Sequence, residues 1–146
     1  MIEIKEILAS DTYALRNAVL RKGKPIETCL FPGDELPTTK HFGLFQVYLI
    51  GIISLFENRN PSFSNANQIQ IRGMAILEEY QGLGLGEKLI QSCENYLKSE
   101  KEVLIWFNAR ASSVNFYEKI GYRTFGSVFE IEGMGKHLIM FKKLGY

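Results

Sequence analysis

The sequence predicts an α/β (α+β) domain on a mixed, mostly antiparallel central sheet of six to seven strands, with helices on both faces. Short β-branched and aromatic runs alternate with helical stretches in the order β α, ββ, β α, β α, ββ, with no repeat and no linker between them. At 146 residues the chain buries about two thirds of its unfolded surface, so a single domain over residues 1–146 is expected.

Ile2, Ile4 and Ile7 alternate with charged residues as in a half-buried strand, and Ser10 and Asp11 are candidate caps for a helix from Thr12 to about Lys22. Gly23 and Pro25 end it, and residues 25–40, with three of the four prolines, form a loop or a broken short helix. His41 to Phe56 suits two antiparallel strands, although the turn near Gln46 has no Gly or Asn signal. After the polar loop ENRNPSFSNANQ, Ile69, Ile71 and Met74 to Leu77 make a strand, with Gly73 a candidate bulge. Leu85, Leu89, Cys93 and Tyr96 recur at helical spacing, residues 103–109 are a short apolar strand, and SSVNFYEKI is a short helix capped at Ser112 and Ser113 and ended by Gly121. Two strands joined near Gly133 and Gly135 complete the chain.

Apolar residues make up 46% and charged residues 23%, ordinary globular values. The net charge of +1 gives no support to a nucleic-acid or membrane partner, and the cluster of Arg16, Arg21, Lys22 and Lys24 reads as a solvated helix face. Cys29 and Cys93 match no metal spacing and no redox pair; both are expected as reduced thiols in a cytoplasmic protein without a metal. The N-terminus has the acidic residues that a secretory signal avoids, and the apolar run Val47 to Phe56 is shorter than the roughly 20 residues that a membrane helix needs.

The stretch QGLGLGEK, residues 81–88, asks what its glycines are for. A phosphate-binding P-loop fails, because Gly82 and Gly86 are too close and Leu89 follows Lys88 where Ser or Thr is needed. A dinucleotide fingerprint fails on spacing, which here is G-x-G-x-G. A mere turn leaves the cost of glycine at a helix start, about 1 kcal/mol each, without compensation. What fits is Q-x-x-G-x-G at a strand-to-helix junction, with Gln81, Gly84 and Gly86 in place.

MAILEEYQGLGLGEKLI, then a strand carrying an Asn, then NFYEKIGY, resembles the GNAT family of N-acetyltransferases in order and spacing over nearly the whole chain. The resemblance implies an acyl-CoA N-acyltransferase-like fold, acetyl-CoA as cosubstrate, and acetyl transfer to a primary amine, of a small molecule or of a peptide or protein, by direct attack in a ternary complex. The runner-up is a non-catalytic acyl-CoA-binding or sensing module. A homodimer is a further expectation, since dimers are common in this family.

It also implies the site. The pyrophosphate rests on backbone N–H groups at a helix N-terminus, so Gln81, Gly82, Leu83, Gly84, Leu85, Gly86 and Glu87 are cofactor-binding candidates. Met74 and Ile76 are candidates for main-chain contacts to the pantetheine arm, and Asn108 and Asn115 for further cofactor contacts, with capping or turn roles as their alternative. Gly82 and Leu83 stand where many members carry Lys or Arg, which leaves Lys88 to supply a cationic clamp.

A lysine-like amine is uncharged in only about one molecule in 2,500 at pH 7, so a base must take its proton. Gln70 stands where one branch of the family places a catalytic glutamate; Glu35, His41, Glu57 and His137 are the remaining candidates. The thioester carbonyl calls for a donor, a backbone N–H near Ile76. Tyr117 occupies the family's general-acid position; protonating a thiolate from a phenol is uphill by about 2 kcal/mol, so Tyr117 either has a lowered pKa or only hydrogen-bonds. Residues 29–43 are expected to border the acceptor.

Overall fold

The computed structural model describes residues 1–99 and 102–146. Its sheet has seven strands in the order β1-β2-β3-β4-β5-β7-β6: β1 Glu3–Ile7, β2 Lys40–Gln46, β3 Tyr48–Glu57, β4 Gln68–Ile76, β5 Val103–Arg110, β6 Arg123–Ile131 and β7 Gly135–Leu144. All described pairings are antiparallel except β4 with β5. Helices are α1 Tyr13–Leu15, α2 Leu85–Leu97 and α3 Val114–Lys119. The chain packs as two compact units, residues 1–57 with 71–99 and residues 58–70 with 100–146.

In the first unit, adjacent residues of β3 point to opposite faces, and each face meets a helix. Ile52 packs with Leu15 and Ala75 on the α1 side. A Cβ on Gly51 would lie 3.3 Å from Leu89 of α2 and 2.7 Å from Ile76, so only glycine lets α2 approach this closely. Leu89, Ile90 and Cys93 of α2 are buried, as their helical spacing predicts.

The first helix departs from expectation. It begins with a 3-10 turn at Ala9–Thr12, and the Asp11 carboxylate accepts the Leu8 N–H at 2.9 Å, so Asp11 sits inside the turn it caps. Past α1 it widens into a π turn at Arg16–Leu20. Arg16 is 0% exposed, which corrects its assignment to a solvated face. The β2–β3 turn is made by Val47 alone, at φ 68°, a left-handed conformation that β-branched residues rarely adopt. Gly73 takes φ 65°, and a side chain there would meet Phe31 at 3.2 Å and Arg16 Nε at 3.3 Å. Beyond it, Ala75 packs on the α1 side and Ile76 lies beside Leu89.

In the second unit, β5 pairs with β7 along its whole length, from Val103↔Leu144 to Arg110↔His137. Phe63, Leu104 and Trp106 form its buried cluster, with Ile139 and Phe141 against them. Gln68 organises the loop before β4: its Oε1 accepts the Asn60 N–H at 2.7 Å, and its Nε2 donates to the carbonyls of Phe63 and Asn65. α3 begins at Ser113 without the side-chain cap its sequence suggests, and Gly121, at φ 100°, ends it.

Candidate active site

The first unit holds the glycine-rich junction. β4 ends at Ile76, a 3-10 turn covers Glu78–Tyr80, and Gly84 is the N-cap of α2 at φ 78°. A side chain at Gly82 or Gly84 would meet nothing within 4 Å, so the glycines here make no room for packing. What they leave open is the backbone: no acceptor among the described residues meets the N–H groups of residues 82–87, and hydrogen bonding resumes with Lys88, whose N–H donates to the Gly84 carbonyl at 3.3 Å. Consecutive free donors at a positive helix end suit the oxygens of a phosphate ester. Gln81 does a different job from its neighbours, its Nε2 donating to the Ile76 carbonyl at 2.8 Å and so tying the loop to the strand end. Glu87 brings a carboxylate into the first turn, and Lys88 is exposed.

The same unit contains a buried polar network. Arg16 donates both terminal nitrogens to Asp34, at 2.7 and 3.0 Å, and further to the Cys29 carbonyl and Ser54 Oγ. His41 must donate through Nε2, because the Asp34 carbonyl at 2.9 Å can only accept; its Nδ1 therefore accepts from the Ser54 hydroxyl at 2.6 Å. With both nitrogens engaged and 4% exposure, His41 is structural. Glu35 is exposed and accepts a long 3.4 Å bond from Tyr13, and Glu57 is exposed at the end of β3.

Arg72 is compensated less directly. Its guanidinium lies 4.6 Å from the Phe31 ring and 5.4 Å from Phe56, and Arg16 contacts the same Phe31 ring at 3.8 Å. Asp34 is spent on Arg16, and among the described residues Arg72 has no ion pair and no hydrogen bond. Burial, then the neighbouring Arg16 charge, lowers its pKa, with the Asp34 charge opposing. Asp34, shared with Arg16, and the faces of Phe31 and Phe56 are what offset its charge. The sequence carries a trace of this in a single charge inside the strand run IQIRGMAI.

The second unit holds Tyr117. Its ring packs against Phe107 at 4.6 Å and lies 6.4 Å from Tyr122. Burial raises its pKa, with Arg110 opposing, which removes the lowered-pKa alternative and leaves a neutral O–H donor. Asn108 and Asn115 are exposed, and neither side chain makes a hydrogen bond among the described residues, so Asn115 caps nothing. His137 is 2% exposed; its Nδ1 donates to the Gly135 carbonyl at 2.8 Å, which leaves the lone pair on Nε2. Its cross-strand partner is Arg110.

This fold and glycine junction define an acyl-CoA N-acyltransferase-like enzyme. The Acetyltransferase (GNAT) domain family matches residues 37–144. The chain is 35% identical over 145 residues to "Uncharacterized N-acetyltransferase YitI" of Bacillus subtilis (strain 168), covering 99% of this chain and 97% of that one. In fold it is similar to the ribosomal-protein-S18-alanine N-acetyltransferase from Escherichia coli, with TM-score 0.78 at 16% identity over 100% of this chain and 96% of that one. It is likewise similar to a GNAT family acetyltransferase from Elizabethkingia anophelis solved with acetyl-CoA bound, with TM-score 0.67 at 16% identity and 98% of each chain covered. The protein belongs to the GNAT acetyltransferase family and is an acyltransferase.

Proposed function

We propose that residues 1–146 act as one cytoplasmic N-acetyltransferase domain that moves the acetyl group of acetyl-CoA to a primary amine. The observation that carries this is the run of unpartnered backbone N–H groups at residues 82–87, ahead of α2. They hold the pyrophosphate, and the main chain at Met74 and Ile76 pairs with the pantetheine arm. The acetyl-CoA bound by the Elizabethkingia anophelis relative supports the choice of ligand.

In the reaction the amine nitrogen bonds to the thioester carbonyl carbon, the carbon–sulfur bond breaks, and the amine loses a proton. A base or a water chain takes that proton. The backbone N–H near Ile76 polarises the carbonyl. Tyr117 hydrogen-bonds the departing sulfur through a phenol that burial keeps neutral.

Release of CoA thiol from acetyl-CoA, followed with a panel of amines, tests this. Turnover that depends on an amine is expected. No amine-dependent thiol release from a protein that binds CoA would instead make it an acyl-CoA-binding module.

A further inference from the structure

The loop between the first helix and β2 places large apolar side chains where solvent reaches them. Leu30 is 51% exposed and Leu36 57%, and both line a cavity of about 260 Å³ whose other walls include Tyr13, Phe31 and Gly33. The loop's own bonds hold this cavity open. Thr39 Oγ1 donates to the Gly33 carbonyl at 2.6 Å, and the Leu36 N–H donates to the same carbonyl at 3.2 Å. The Phe31 N–H donates to Asp34 Oδ2 at 2.8 Å, and the Phe31 ring lies against the guanidinium groups of Arg16 and Arg72, at 3.8 and 4.6 Å. With backbone and ring fixed, the cavity exists before anything enters it, so a ligand fills it without first ordering a loop.

Two carboxylates line the same cavity, and they differ in what they have left to offer. Asp34 is 6% exposed, and both its oxygens accept from Arg16. Glu35 is exposed, has no ion pair among the described residues, and accepts only the long 3.4 Å bond from the Tyr13 hydroxyl. Apolar walls beside one uncommitted carboxylate are complementary to an apolar chain that ends in an ammonium. The cavity also touches the strand that matters. A Cβ on Gly73 of β4 would lie 3.2 Å from the Phe31 ring, so this wall abuts the residue before Met74, on the strand assigned above to the pantetheine arm. All of these residues belong to the first unit, which also holds the glycine junction.

We propose that this cavity receives the side chain of the acceptor and that the acceptor is an apolar primary amine, its alkyl chain lying against Leu30, Phe31 and Leu36 and its ammonium beside Glu35. This rests on the acetyltransferase reading and names the substrate class for it. Leu30, Phe31 and Leu36 select by contact area, whereas Glu35 selects by charge, whatever the length of the chain.

The test measures CoA release with straight-chain amines from ethylamine to hexylamine, for the wild type, Leu36→Ser and Glu35→Gln. Wild-type kcat/KM should rise about four-fold with each added methylene, the gain expected from burying it. Leu36→Ser should cut that rise to about two-fold or less per methylene. Glu35→Gln should raise KM about three-fold for every amine while the rise per methylene stays as in the wild type. Both side chains are exposed, and an unfolding midpoint like that of the wild type confirms that the variants fold. A wild-type kcat/KM that does not rise with chain length, a rise that Leu36→Ser leaves intact, or a KM that Glu35→Gln leaves unchanged would overturn the proposal. So would no turnover of any of these amines by a protein whose midpoint CoA raises. Failure of CoA itself to raise the midpoint would overturn the acetyltransferase reading, and this proposal with it.

Discussion

Arg16 and Asp34 meet as a two-pronged ion pair with side chains 0% and 5% exposed, joining the first helix to the loop at residues 29–39. Two more bonds depend on the same carboxylate and backbone: the Phe31 N–H donates to Asp34 Oδ2, and His41 Nε2 to the Asp34 carbonyl. Asp34→Ala leaves a buried guanidinium unpaired and should cost about 3–5 kcal/mol in denaturant unfolding. The double change Arg16→Met with Asp34→Leu should cost less than Asp34→Ala alone, because it removes both charges. A loss below about 1 kcal/mol for Asp34→Ala would show that the pair is solvated.

Tyr117 gives a different expectation. Burial raises the pKa of its phenol, and the proposed mechanism has that O–H donate to the leaving sulfur. Tyr117→Phe preserves the contact with Phe107 and should leave the unfolding midpoint nearly unchanged while lowering kcat about 10- to 100-fold. Unchanged kcat would remove Tyr117 from the mechanism.

Cys93 ties stability to pH. Its thiol is buried against α2's apolar partners, and burial, with a smaller contribution from Glu94, raises its pKa far above the usual thiol range. Above the unfolded thiol pKa, about 8.5, the unfolded chain loses a proton that the folded chain keeps, so stability falls as pH rises, by up to about 1.4 kcal/mol per pH unit. Below that pH the contribution is constant. Urea unfolding between about pH 8 and 10 should show this slope, and Cys93→Ala should flatten it; above about pH 10 the raised phenol of Tyr117 adds a slope of the same sign. A slope that survives Cys93→Ala assigns the proton elsewhere.

Much of this architecture is legible in the sequence because it follows from periodicity and from glycine. The spacing of Leu85, Leu89 and Cys93 marks α2, the alternation around Ile4 marks β1, and β-branched and aromatic runs mark β2 to β4. Gly73 and Gly84 are placed correctly because their positive φ is a local demand. The irregular first helix is not legible: Arg16 looks like a surface charge until Asp34, eighteen positions away in sequence, buries it, and that pairing has no local signature. Val47 as a one-residue turn escapes for the opposite reason, since its strain is imposed by the flanking strands. The candidate site divides the same way. The backbone cradle follows from glycine spacing, whereas the separation of His41 from His137 rests on which ring nitrogen each neighbour occupies.

The most direct test is the unfolding midpoint of the protein with acetyl-CoA, CoA, ATP and NAD in parallel, together with Gly84→Ala. Saturation at a hundred times the dissociation constant adds about 2.7 kcal/mol, several degrees for a domain of this size. Acetyl-CoA and CoA should both raise the midpoint, ATP and NAD should not, and Gly84→Ala should weaken the CoA shift, because the alanine must hold φ 78° and projects a methyl group into the open space before α2. No shift with millimolar acetyl-CoA or CoA, or an equal shift with ATP, would contradict a CoA cradle at residues 82–87.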